Sequence, residues 1–318
     1  MTAAAEITAF HDPAVRDLAW LLFSPDLLST SHAGAPLARP AATESERDAV
    51  LAWLIALDRD PGELHAQAHK PSLTRLGFYA EALLDYFLTH GPYARLIAAN
   101  IPLRTAGLTL GEVDFLLENG KGERLHWELA VKFYLHIGEG EGASTLAHYV
   151  GPNLQDRFDL KHARLLNHQL GLSARDEFAS LGFEGPWRAE LFVKGRLFYR
   201  DDDVAPCSVS DAPPELAADH LRGWWKTASE WHASKKDGLF ASLPRLGWMA
   251  ERTLSAQEGE ALVEQTAVLS ERIATLSSPI MVARYEHSDS ATGVVWREHS
   301  RGFIVPDEWP ERAAEFAG

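Results

Sequence analysis

A single cysteine, Cys207, occurs among the 318 residues. It has no partner within the chain, which excludes an intrachain disulfide framework and any Cys-rich zinc site. Long hydrophobic runs are also missing. The longest, "LAWLLF" and "AVLAWLIAL", fall far short of the roughly 20 residues needed to cross a bilayer. The beginning, "MTAAAEITAFHDP", lacks a basic start followed by an apolar run, so no signal peptide is expected. The cytoplasm is the expected compartment and a membrane is not an expected partner. Nucleophile signatures such as G-x-S-x-G are absent. "GEGEGAS" has neither the Lys-Ser/Thr of a P-loop nor the spacing of a dinucleotide fingerprint and reads as a connection over a site.

Positive charge is in short supply: 30 Lys and Arg stand against 45 Asp and Glu, a net charge of −15. That argues against indiscriminate binding to phosphate backbones. The deficit is uneven. Basic and acidic residues number 5 and 10 over residues 1–70, 14 and 15 over 71–200, and 11 and 20 over 201–318. Any anion-binding surface is therefore expected in the middle of the chain.

What is present is the composition of a folded protein, 46% apolar with 10 tryptophans. At about 150 residues per domain the length allows one elaborated domain or two; one core with additions at both ends is expected. Near the N-terminus, "DPAVRDLAWLLF" offers Asp12 as a cap with Pro13 in the first turn, and "TESERDAVLAWLIALDRD" opens with the capping-box pair Thr43 and Glu46. From residue 76 the periodicities predict a helix in "LGFYAEALLDYFLTHG" and an extended "YARLIAANIPLRT". A hairpin, "GEVDFLLENGKGERLHWELAVKFYLHI", follows, then a helix, "LQDRFDLKHARLLNHQL", and a strand, "WRAELFVKGRLFYR". The order is αβββαβ. Downstream come a turn at "DDDVAPCSVSDAPP", a Trp-bearing helix "ELAADHLRGWWKTASEW", and a strand-like "GLFASLPRLGWMA". A helix, "SAQEGEALVEQTAVLSERIATL", and two strands, "PIMVARYEH" and "GVVWREHSRGFIVP", complete the chain.

The hairpin carries charge among its apolar residues. Side chains alternate across a strand, so Glu128, Ala130 and Lys132 share one face. Asp114, between Val113 and Phe115 on the neighbouring strand, falls opposite Glu128 or one pair along. Two carboxylates that close repel unless a cation neutralises them, and Mg²⁺ favours one or two carboxylates together with water and phosphate oxygens. A lysine beside them would complete the requirements of phosphodiester hydrolysis: a metal to polarise the phosphate and acidify a water, an ammonium to balance developing charge. The bland alternative is a satisfied structural ion pair.

"EVDF" on one strand, an acid followed by a lysine on the next, and a Glu on the preceding helix, in αβββαβ order, resemble the PD-(D/E)XK nuclease superfamily. Over nearly its whole length the chain is also similar to a bacterial family of unknown function assigned to that superfamily, through "LGFYAEAL", "GEVDFLL", "HWELAVKFYL", "GPNLQDRFDLKHARLLNHQL" and "RGFIVPDEWP". The resemblance implies an α/β fold with a mixed central sheet flanked by helices: a restriction-endonuclease-like core over 76–200, an N-terminal helical extension over 1–75 and a C-terminal α+β extension over 201–318. It implies Mg²⁺ or Mn²⁺ as cofactor, held by Asp114, Glu128 and the helix carboxylate Glu81, and nucleic acid as the partner. The superfamily's lysine sits two residues after the acid, where this chain has Ala130. Lys132 lies four residues on, roughly 13 Å along a strand against roughly 7 Å. Lys161, on the following helix, is the other candidate, and Gln155 stands where the superfamily places a polar residue.

Arg157, Lys161 and Arg164 recur at spacings of four and three, which puts them on one helix face. That stripe is a candidate phosphate contact, or a solvated face pairing with Asp156 and Asp159. His126 shares a face with Glu128; with His136, His148, His162 and His168 it matches no zinc motif, and ordinary polar or packing roles are expected. Trp224, Trp225 and Trp231 are expected to pack apolar contacts rather than stack on bases. Two further readings remain open beside a metal-dependent nuclease: an inactive module of the same fold that binds protein or nucleic acid, and a hydrolase of small phosphoesters.

Overall fold

The computed structural model of the chain describes residues 7, 9–71, 73–105, 108–138, 144–200, 212–234, 238–290 and 293–318. Cys207, most of "DDDVAPCSVSDAPP" and the centre of "GEGEGAS" lie outside them. In chain order the elements are α1 (Pro13–Phe23), α2 (Glu44–Arg59), α3 (Gly62–Ala68), α4 (Leu76–His90), β1 (Ala94–Thr105), β2 (Leu108–Asn119), β3 (Arg124–His136), β4 (Tyr149–Val150), α5 (Phe158–Arg164), α6 (Asp176–Ala179) and β5 (Arg188–Arg200). They continue with β6 (Arg222–Thr227), α7 (Ala228–Ala233), β7 (Leu239–Ser242), β8 (Thr253–Ser255), α8 (Ala256–Glu260), α9 (Leu262–Ile273), β9 (Ile280–Ser290), β10 (Gly293–Val305) and α10 (Trp309–Ala317). The strands pair in a mixed ten-stranded sheet of order β1-β2-β3-β5-β6-β10-β9-β7, with β4 on β3 and β8 on β10. The expected mixed α/β fold is therefore present, with helices before the sheet and αβββαβ as the order of its principal elements. Among the described residues no helix is long and apolar enough to cross a membrane.

Two compact units divide the chain. The first comprises Met1–Lys132, Lys161–Gly195 and Pro214–Asp219; the second comprises Phe133–Leu160, Arg196–Pro213 and His220–Gly318.

In the first unit both expected helix starts form. Asp12 accepts from the N–H groups of Ala14 and Val15 at 3.0 and 3.1 Å, and Thr43 and Glu46 cap each other reciprocally, so donors that the first turn leaves unpaired are satisfied. Helix α4 buries Tyr79, Ala80, Leu83, Leu84, Tyr86, Phe87 and Leu88. A chain of ring contacts, Trp53 to Phe87, Phe87 to Tyr93, Tyr93 to Trp127 and Trp127 to Phe192, fastens these helices to the sheet. Leu172 and Phe178 pack on Ile101, Leu103, Val113 and Leu116. Strand β5 approaches β3 so closely at Gly195 that a Cβ there would stand 1.8 Å from the carbonyl oxygen of Lys132. At φ +153° the position is in any case one that L residues avoid.

The second unit holds the main departure from sequence expectation. "ELAADHLRGWWKTASEW" predicts one helix, yet Arg222–Thr227 is strand β6, parallel to both β5 and β10. The helix begins only at Ala228, where Thr227 and Glu230 form a capping box. The tryptophans thereby enter packing: Trp225 donates its indole N–H to the His136 carbonyl at 2.9 Å, and Trp231 lies in a core with Phe240, Leu269, Ile273, Ile280, Val282 and Ile304. Parallel pairing to strands distant in sequence outweighs local helix spacing here.

Candidate functional site

The antiparallel ladder between β2 and β3 runs from Glu118 opposite Arg124 to Phe115 opposite Trp127. One step further, where Asp114 faces Glu128, side chains replace the ladder. The Asp114 carboxylate (Oδ2) accepts from the N–H of Leu129 at 2.8 Å, and the Glu128 carboxylate (Oε1) is 3.4 Å from the N–H of Asp114. Each acid thus binds the backbone of the opposite strand. The alternation that keeps Phe115 and Trp127 in the core carries both carboxylates to one place.

Glu128 is 1% exposed, and protein donors satisfy both of its oxygens. His126 Nε2 lies 2.8 Å from Oε1, and the Gln169 amide nitrogen donates to Oε2 at 3.0 Å. On its other side the His126 ring places Nδ1 2.9 Å from the Ser173 hydroxyl. This His–carboxylate–amide arrangement fixes the Glu128 rotamer. Gln169 also donates to the Glu112 carbonyl oxygen at 3.3 Å, tying the segment after α5 to β2.

Charge accumulates around this pair. Burial pushes the Asp114 carboxyl up to about 8; the negative charges of Glu128 and Glu81 add to the rise, while the Leu129 N–H and the Lys161 ammonium oppose it. Burial likewise raises Glu81, on α4, to about 7, with Glu112 and Glu128 contributing and Lys161 opposing. Such a cluster retains protons at neutral pH unless a cation takes their place. Among the described residues no group of three or more His, Cys, Asp and Glu side chains is arranged to hold a metal ion.

Of the residues singled out in the sequence, Glu81, Asp114, Glu128 and Lys161 therefore act on one another, all within the first unit. Ala130, where the superfamily pattern places a lysine, is buried at 4% exposure. Lys132 is half-buried on β3, its carbonyl against Gly195. Arg164 is exposed at the end of α5. Gln155 and Arg157 belong to the second unit. Gln155 is exposed there, and Arg157 pairs with Asp159 at 2.7 Å while donating to the carbonyl oxygens of Phe316 and Ala317.

Gln169, Ser173 and the positioning role of His126 did not emerge from sequence reasoning. Gln169 closes a π-turn, Leu165–Gln169, in which the N–H of Leu170 donates to the Leu165 carbonyl at 3.0 Å. No local signal marks it, because the π-turn breaks the helical spacing that would have related it to Lys161.

Residues 16–305 match the family described as a domain of unknown function (DUF1853), and the chain belongs to that family. No curated protein and no solved structure matches it.

Proposed function

We propose that this DUF1853 protein is a divalent-cation-dependent phosphodiesterase of the PD-(D/E)XK type that cleaves nucleic acid. One observation carries the reading: Asp114 and Glu128 meet at the end of the β2–β3 ladder, with Glu81 and Lys161 within electrostatic reach. The αβββαβ order around them supports it.

The donor set suits Mg²⁺ or Mn²⁺. Asp114, a buried carboxyl that holds its proton for want of a cation, gains by exchanging it for one, and Mg²⁺ completes its shell with water and phosphate oxygens rather than a protein cage. Asp114 and Glu128 would hold the ion, which when bound polarises the phosphate and lowers the pKa of a water. His126 and Gln169 keep the Glu128 oxygens oriented. Glu81, with its raised proton affinity, would take up the proton of the attacking water and pass it on as the bond between phosphorus and the leaving oxygen breaks. Lys161 supplies the positive charge that offsets the pentacoordinate phosphate, the part the superfamily's strand lysine plays and Ala130 cannot.

The test compares wild type with Asp114→Asn, Glu128→Gln and Lys161→Met on labelled single- and double-stranded DNA and RNA in Mg²⁺ or Mn²⁺. Wild type is expected to cleave at least one substrate, EDTA to abolish cleavage, and each variant to lose about 10²–10³-fold in rate. Equal rates in the variants, or no cleavage of any substrate by wild type, would end the proposal.

A second reading, a non-catalytic module that kept the fold, is favoured by protein donors already satisfying both Glu128 oxygens. Calorimetric Mn²⁺ titration separates the two: uptake that Glu128→Gln abolishes supports the enzyme, and no uptake supports the module.

A further inference from the structure

A groove of about 860 Å³ opens in the first unit between the β2–β3 turn and the start of β5, lined by residues 122–124 and 184–188. Its notable groups are one aromatic ring and two guanidinium groups. The Arg124 guanidinium lies over the Trp187 ring, 5.9 Å from its centroid, and also donates to the Glu184 carbonyl. Arg188, whose side chain is 53% exposed, bonds Glu190 at 2.8 Å and Glu123 at 3.2 Å. The indole N–H of Trp187 is buried with no hydrogen-bond partner, a condition that costs free energy and calls for an explanation.

Arg124 and Glu128 lie on the same face of β3, four residues and so roughly 13 Å apart along the strand. A substrate strand engaged at the carboxylates therefore has Arg124 and its groove within a few nucleotides.

We propose that this groove binds an unpaired base of single-stranded nucleic acid by stacking against Trp187, with Arg124 and Arg188 meeting the adjacent backbone. The assignment of the groove as a substrate channel rests on the phosphodiesterase reading; the binding itself does not. An aromatic ring with a guanidinium group beside it accepts any base through its π-face, and Arg adds cation–π and phosphate contacts. Because Glu123, Glu184 and Glu190 balance the local arginines, the affinity comes from stacking more than from counter-charge, which selects single strands over duplexes, whose bases are already stacked.

The experiment is fluorescence anisotropy of a labelled oligothymidylate in EDTA, so that binding is read without cleavage, beside an abasic oligomer of equal length and a duplex. Wild type is expected to bind the oligothymidylate about tenfold more tightly than the abasic strand, and more tightly than the duplex. Arg124→Gln and Arg188→Gln should each weaken binding several-fold. Trp187→Phe should keep the preference for bases, and Trp187→Leu should erase it. Since Trp187 also packs on the core, the exposed Arg188→Gln provides the variant least exposed to misfolding. Equal affinity for abasic and base-bearing strands, or unchanged binding in both arginine variants, overturns the proposal. Binding that follows this pattern in a protein that cleaves nothing keeps the groove and removes the nuclease reading. Cleavage whose KM is untouched by the arginine variants keeps the nuclease and removes the groove.

Discussion

Asp114 carries the conflict at the heart of the site: its carboxylate is bound by a backbone N–H that favours charge, yet burial and two neighbouring acids oppose that charge more strongly. The consequence is measurable as a stability profile. In the folded chain Asp114 holds its proton up to about pH 8 and Glu81 up to about 7, while the same groups in the unfolded chain release theirs near pH 4. Between those values the folded state binds more protons, so its stability falls as pH rises. Asp114→Asn keeps an oxygen for the Leu129 N–H but carries no charge. After discounting for partial exposure, it is expected to exceed wild type by about 1–2 kcal/mol at pH 8.5 and to match it at pH 4. Urea melts at the two pH values decide this; equal stability at pH 8.5 would show that the crowding is relieved by other means.

At the scale of elements, a tight backbone constraint lies where β5 passes β3. Gly195→Ala would drive a methyl group into the Lys132 carbonyl and force a residue with a side chain to φ +153°. A loss of about 3 kcal/mol or more is expected, read as a lowered melting temperature, and an unchanged one would refute the close approach. The same strands show what local sequence discloses. Hairpin alternation was enough to place Asp114 and Glu128 together, because a period of two fixes which face each side chain takes. Asp12, Thr43 and Glu46 were equally legible, since capping needs only the residues beside it. By contrast, "LQDRFDLKHARLLNHQL" reads as a continuous helix, but α5 ends at Arg164 and a π-turn follows. That extra residue per turn has no composition signature, and it determines where Gln169 lies. Strand β6 was hidden for a different reason: its partners, β5 and β10, come from distant parts of the chain, and "RGWWKT" has no alternation of its own to announce them.

For the whole molecule, buried titrating groups in the two units respond to pH in opposite senses at Asp114 and at His136. In the second, burial lowers His136 to about 4, with His148 adding to the shift. An unfolded histidine takes a proton near 6.5, so this contribution is complete above pH 6.5 and is lost as pH falls toward 4. Hydrogen exchange corrected for intrinsic rates should therefore show loosening around His136 at pH 5 and around Asp114 at pH 8.5, with the opposite pattern counting against these assignments. The crossed bonds between β2 and β3 also bear on any chain-wide survey of substitutions. Because the two acids double as rungs of the sheet, alanine at either position removes a rung as well as a carboxylate. A survey scored on function alone would count that loss of structure together with any loss of function. Only paired readouts, abundance alongside function, can tell a lost role from a loosened fold.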